Sequence, residues 1–520
     1  MSDEPVSIGA PDSGKNASDV TGLRRKMITG SFWMIGVNLF RRGVGVISTI
    51  VLARLLPPAD FGLVAMASVL VVMMQAVTEF GFDVALIQKQ NCTRTHYDTA
   101  WTFKILFATV SALVLVTLAW PAAEFYSEAR VMPIVLALSI GVLLRGFENI
   151  GIVDFRKDFE FNREFRFFST IKLSAATVTI ILAIIFRSYW ALVIGMITSR
   201  IVGLILSYTM SPYRPRFSIA ARAELFGFSA WLFLNNILMF VRTRGADFIV
   251  GRVLGARSLG LFTIGTEIAS LPTTELIAPI NRAIFPGYSK ISDDPHRMRQ
   301  AFLNVFSVIS IIAIPSAIGI AVISTTAIPV LLGPKWLDAI PLVHAMAIVG
   351  LLTSLHSNTG AAYFALGKPR IHVVLQSISA AILLPCAFIF ADKFGIVGVA
   401  YAYLLANGST FLINCVVAVR LLQIPPARLV ASVLRPTIAA AAMYLAVAES
   451  QSVLKLHVPD VVNLLLSILC GAAVFVSVVT VLWITMGRPR GAETFILEHA
   501  RRVPVLRRLA RILAPDAGLA

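Results

Sequence analysis

Residues 50–63 read IVLARLLPPADFGL, and residues 248–261 read FIVGRVLGARSLGL. At a constant offset of 198, Arg54 falls on Arg252, Leu56 on Leu254, and Gly62-Leu63 on Gly260-Leu261. A recurrence of this kind has to be read before any single segment, because it sets the architecture. Each copy sits where one apolar segment ends and the next begins. Six such segments separate the copies, an even number, so both share one orientation across a bilayer. This predicts two parallel six-helix bundles related by an axis along the membrane normal. Two bundles facing a cavity suit alternating access by rocking.

Outward from the repeat, windows of about 20 apolar residues place fourteen spans at 28–55, 62–87, 99–121, 130–152, 165–186, 189–210, 224–250, 258–286, 299–332, 336–366, 370–391, 396–421, 430–449 and 460–486, the ninth with room for a break near Pro329. The chain is 57% apolar and 14% charged, against about 25% charge in soluble proteins. The fold class is therefore an all-α polytopic membrane protein: two six-helix lobes around a central cavity, plus two extra C-terminal helices. The net charge of +17 calls for no nucleic acid, because its placement follows the membrane. Lys89, Arg94, Arg156, Lys157, Arg163, Arg214, Arg216, Arg222, Lys290, Arg297, Arg299, Lys368, Arg370 and Arg428 fall in one set of loops, and the other set is sparse and partly balanced. By the positive-inside rule both termini are cytoplasmic.

The domain reading follows: a disordered cytoplasmic tail (1–24), an N-terminal lobe (25–222), a C-terminal lobe (223–422), two additional spans (423–487) and a basic cytoplasmic tail (488–520) that forms an amphipathic helix on the anionic leaflet. Gly9 and Gly14-Lys15 stand at P-loop spacing, but Asn16 replaces the Mg²⁺-binding hydroxyl and no strand precedes it. The sequence thus asks for no cofactor, and Asp293-Asp294 reads as a solvated turn before Pro295 rather than a metal pair. No loop exceeds about a dozen residues, too short for the aqueous domain of a membrane enzyme, so the chain reads as a transporter. Cys386, Cys415 and Cys470 lie inside apolar segments and read as inert thiols.

LARLLPPADFGL at 52–63 followed by Gln88, RGADFIVGRVLGARSLGLF at 244–262, Ile284-Phe285-Pro286 with Ser289, Gly333-Pro334-Lys335-Trp336, and Ala365-Leu366-Gly367-Lys368-Pro369 together resemble the polysaccharide-export, Wzx-type flippases of the MATE-like multidrug/oligosaccharidyl-lipid/polysaccharide superfamily. The resemblance runs from about residue 24 to about residue 420. It implies translocation of undecaprenyl-pyrophosphate-linked oligosaccharide across the bacterial inner (plasma) membrane for exopolysaccharide or lipopolysaccharide biosynthesis. It also implies membrane lipid, a polysaccharide polymerase and a chain-length regulator as partners. Twelve spans are common in that superfamily, so the last two are a departure.

Charges inside the spans mark the candidate site, since a charge at mid-bilayer costs about 2.5–3.5 kcal/mol unless it faces a bundle interior or water. Arg41 and Arg42 lie near the centre of the first span. Either they meet a pyrophosphate, whose oxygens suit the guanidinium fork, or they pair with Glu79 or Asp83. Adjacent residues point about 100° apart, so one of the two faces the cavity. Glu79 and Asp83, four apart, read as an ion-coupling pair or as partners of arginines. Arg242, Arg244 and Asp247 occupy the seventh span, with Arg244 and Asp247 on one face. In the eighth, Glu275 and Arg282 share a face. The pyrophosphate candidates are thus Arg41, Arg42, Arg242, Arg244 and Arg282, and the ion-coupling candidates Glu79, Asp83, Asp247 and Glu275. Arg145 and Glu148 read as a structural i,i+3 pair, Lys104 and Lys172 as snorkelling cations, and His344 and His356 as core histidines. The rival functions are a cation-coupled multidrug exporter of the same superfamily, which favours an acidic or neutral cavity, and a scaffold of a polysaccharide assembly complex.

Overall fold

The computed structural model describes residue 36 and residues 40–78, 81–88, 92–158, 160–222, 224, 229–454, 458–488 and 493. The expected N-terminal tail, most of the expected C-terminal amphipathic helix and Glu79 lie outside the described residues. Helices follow one another with short connections: α1 (40–55), α2 (Pro58–Thr78), α3 (Phe82–Gln88), α4 (Arg94–Tyr126), α5 (Val131–Gly146), α6 (Asp154–Lys157), α7 (Phe161–Phe186), α8 (Trp190–Met210), α9 (Ser229–Ser289), α10 (Pro295–Leu331), α11 (Ile340–Ala365), α12 (Pro369–Leu422), α13 (Pro426–Leu454) and α14 (Asp460–Thr485). Among the described residues there is no strand. Among the described residues ten helices are long and apolar enough to cross a membrane, or eleven if the bent pair Val131–Gly146 and Ile150–Lys157 is one span. The protein is a multi-pass, all-α membrane protein.

Two of these helices are too long to be single spans. The 61 residues of α9 would reach about 90 Å at 1.5 Å per residue, three times the hydrocarbon core of about 30 Å. Gly255 breaks α9 at φ 77°, ψ −178°, and Gly395 breaks the 54-residue α12 at φ 63°, ψ −145°. Both angles lie where a Cβ is strongly disfavoured. Gly255 is the counterpart of Pro57 at the repeat offset, so one corner is turned by proline and its copy by glycine. The break anticipated near Pro329 is absent: α10 runs through Pro315 and Pro329 and ends at Leu331.

The chain forms two compact units. The first comprises the described residues of Met1–Leu55, Leu70–Glu124 and Glu128–Ile237; the second those of Leu56–Val69, Phe125–Ser127 and Leu238–Ala520. In the first, α8 packs on both α5 and α7. In the second, α10 packs on α11 and α11 on α12, around a core that includes Ile284, Tyr288, Phe302, Phe306, Ile309 and Leu355. The last two helices form a hairpin that seats on α10 through Ile314, Val322, Met443, Val447, Phe475 and Val479.

Within the second unit the two repeat corners touch reciprocally. A Cβ on Gly62 would fall 1.7 Å from the Ala256 carbonyl oxygen, and a Cβ on Gly260 would fall 1.8 Å from that of Pro58. Gly62 maps to Gly260 and Pro58 to Ala256 at the offset of 198, so the contact is its own image under the repeat. Tyr126 stacks on Phe248 beside it, and Arg252 donates to the Ser127 hydroxyl at 2.7 Å.

Candidate functional site

A cavity of about 550 Å³ opens within the first unit, lined by residues of α1 through α8. Its charged wall holds five basic residues, Arg41, Lys104, Arg145, Arg156 and Arg200, against three acidic ones, Asp83, Glu148 and Glu164. Phe82, Phe107, Phe155, Phe167 and Phe168 supply apolar surface between them. Two of the carboxylates are engaged by cations of the wall itself: Glu148 with Lys104 at 3.7 Å, and Glu164 with the Arg156 Nε at 2.6 Å. A cationic excess remains. The low-dielectric surroundings strengthen its pull on an anion compared with a surface patch.

Local sequence explains how these groups converge. α5 ends at Gly146, and the chain bends by 70° before the next helix. Asn149 makes that bend: it is fully buried and extended at φ −65°, ψ 120°. Its Oδ1 accepts from the Gly151 N–H at 2.9 Å, its Nδ2 donates to the Tyr213 carbonyl at 2.6 Å, and its own N–H donates to the Ser207 hydroxyl at 2.9 Å. The bend carries Glu148 off the α5 face and towards Lys104 of α4. The segment 211–219 is strapped along α4: Asp98 accepts from the Tyr213 hydroxyl and from the Arg216 N–H at 2.8 Å, and Thr102 accepts from the Ser218 N–H at 3.0 Å. Outside the spans, Arg130 grips Glu128 through two bonds of 2.8 and 2.9 Å and holds its carboxyl below the usual range.

Of the residues singled out from sequence, Arg41 and Asp83 line the cavity. Arg42 is half-buried on α1 and does not line it. Asp83 stands in the first turn of α3, after Gly81 at φ 69°, and its expected neighbour Glu79 lies outside the described residues. In the second unit, Arg244 pairs with the buried Asp247 at 3.2 Å, and Arg242 contacts the Met239 sulfur at 3.7 Å. The side chains of Glu275 and Arg282 lie outside the described residues. Arg145 and Glu148, read as an i,i+3 pair, fall on either side of the end of α5 at Gly146, and Glu148 pairs with Lys104. Sequence reasoning passed over Arg156, Glu164 and Arg200 as site residues. Arg200 was findable, since it stands mid-way along an apolar span; Arg156 and Glu164 come from loop-proximal segments that only the fold brings inward.

The family described as polysaccharide biosynthesis protein matches residues 51–341. Among curated relatives, the lipopolysaccharide biosynthesis protein WzxC of Escherichia coli (strain K12) is 26% identical over 391 residues, covering 74% of this chain and 79% of that protein. The teichuronic acid biosynthesis protein TuaB of Bacillus subtilis (strain 168) is 24% identical over 382 residues, covering 72% and 78%. A solved structure of the lipid II flippase MurJ in an inward closed conformation superposes with a TM-score of 0.71 at 14% identity, over 88% of this chain and 99% of that one; it bears on the fold alone. The chain belongs to the polysaccharide biosynthesis protein family.

Proposed function

We propose that this protein is a flippase that carries undecaprenyl-pyrophosphate-linked oligosaccharide across the bacterial plasma membrane by alternating access. The observation that carries the reading is the cationic excess in the cavity of the first unit, beside loops rich in Lys and Arg. In the proposed arrangement fourteen spans, with α9 and α12 counted twice, form lobes 25–222 and 223–422 followed by the α13–α14 hairpin, and both termini are cytoplasmic. The Lys- and Arg-rich loops beside the cavity then face the cytoplasm, where the substrate is made. Arg41, Arg145 and Arg200 attract the diphosphate, the glycan occupies hydrated space, and the polyprenyl tail stays in lipid. A cavity of this volume falls within the roughly 300–1,000 Å³ of small-molecule sites and suits a compact polar head group. A cationic drug would meet the same excess as repulsion.

The test is a glycan analysis of a deletion strain. Loss of surface polymer with diphosphate-linked oligosaccharide accumulating on the inner leaflet supports the reading and names the glycan. Unchanged polymer with new sensitivity to cationic drugs overturns it in favour of a multidrug exporter.

A further inference from the structure

Two guanidinium groups share one phenylalanine. The Arg41 Cζ lies 5.0 Å from the ring centroid of Phe168, and the Arg156 Cζ lies 5.8 Å from the same centroid. All three residues line the cavity, yet they come from α1, α6 and α7. The ring is fixed in turn: Phe167, 3% exposed, meets it edge-on at 5.2 Å and 80°.

We propose that Phe168 is a positioning residue that holds Arg41 and Arg156 as a matched pair for the two phosphates of a diphosphate, and thereby favours diphosphate over monophosphate. The inference rests on the proposed diphosphate substrate and names the group that selects it. Two like charges brought to one ring repel, and among the described residues one carboxylate, Glu164, answers them. Glu164 takes the Nε of Arg156 at 2.6 Å and leaves its terminal nitrogens for a ligand. Among the described residues Arg41 has no carboxylate partner at all. The ring's negative face compensates part of this charge, and an anion seated between the forks completes it. Because both Cζ atoms lie within 5.8 Å of one centroid, the forks are close enough for a single diphosphate to reach both with charge-assisted contacts of roughly 2.7–2.9 Å. Each phosphate then meets its own fork, whereas a monophosphate has one phosphate to offer.

The test uses the purified full-length protein with inorganic pyrophosphate and inorganic phosphate as probes in titration calorimetry. Phe168→Leu is expected to weaken pyrophosphate binding roughly three- to thirty-fold, the worth of a cation–π contact, while leaving the weaker phosphate affinity within twofold. Phe168→Met, which keeps the volume and lacks the π face, is expected to match Phe168→Leu, and Phe168→Trp to restore selectivity. In an Arg41→Gln/Arg156→Gln background the Phe168 substitutions are expected to do nothing further. If pyrophosphate binding survives both Phe168→Leu and Phe168→Met unchanged, or if both probes weaken equally, the positioning role is overturned. If the wild-type protein does not prefer pyrophosphate, or the double arginine variant binds it as well as wild type, the substrate reading itself fails.

Discussion

Alanine at Gly62 or Gly260 should destabilise the protein, and alanine at both should destabilise it less than either alone. A Cβ at Gly62 would meet the Ala256 carbonyl oxygen at 1.7 Å, and one at Gly260 the Pro58 oxygen at 1.8 Å. To reach even 3.0 Å, each corner must retreat by at least about 1.2 Å. Both obstructing groups are backbone, so no side-chain rotation relieves them. Overpacking of this kind costs typically 1–3 kcal/mol, and rigid backbone places these sites near the upper end. Against that, Gly→Ala inside a helix stabilises by about 1 kcal/mol, so each single variant should lose about 2 kcal/mol. One retreat separates both contacts, however, because the corners touch each other reciprocally. The double variant meets the clash cost once and gains helix propensity twice, for a net loss of about 1 kcal/mol where additivity demands about 4. The assay is equilibrium unfolding of all four proteins in mixed micelles of rising denaturing-detergent content. Gly408→Ala, a helical position with nothing near its Cβ, serves as the control and should stabilise. Additive losses, or singles no less stable than wild type, would refute the reciprocal contact.

Other outcomes follow from the same geometry. Asn149→Ala strands the Gly151 N–H, while the Tyr213 carbonyl keeps its bond from Arg214, and should cost about 1–3 kcal/mol in the same unfolding assay, one buried group losing its partner. Arg435 pairs with Glu493 at 2.8 Å with both side chains buried; Arg435→Met alone should cost about 3–5 kcal/mol, while Arg435→Met with Glu493→Leu should come close to neutral. Asp294 caps α10 by accepting from the N–H groups of Arg297 and His296, which holds its carboxyl below the usual range. Its folded-state value is depressed, so its contribution is full above about pH 4 and is lost as pH falls through the lowered value. A pH series of unfolding curves should show a shallower acid slope for Asp294→Asn, which keeps the capping oxygen, than for wild type.

Much of this architecture was legible because membrane constraints are strong. An apolar stretch must be helical where no water can satisfy the backbone, so the spans could be read from hydropathy alone. The repeat was legible because Gly62 and Gly260 are each required by a close approach that admits no other residue. The breaks at Gly255 and Gly395 fall between the spans read at 224–250 and 258–286 and at 370–391 and 396–421, with Arg252, Arg257, Asp392 and Lys393 beside them as polar markers. The site was half legible. Arg41 and Asp83 announced themselves as charges within apolar segments, but Lys104, Arg145 and Glu148 sit near span ends, where snorkelling or a local pair explains a charge equally well. Their convergence depends on the bend at Asn149, whose partners Ser207 and Tyr213 lie 58 and 64 residues away. Sequence spacing carries no trace of contacts at that distance. The sharing of Phe168 by Arg41 and Arg156 is invisible for the same reason.

The most direct test of the central claim is translocation by the purified protein in liposomes loaded with a lipid-linked oligosaccharide, read by access of an externally added lectin to the glycan. The account predicts protein-dependent exposure of the inner-leaflet pool, lost when Arg41, Arg145 and Arg200 are neutralised together in a protein that still folds. Equal exposure from the neutralised variant, or none from the wild type, would contradict it.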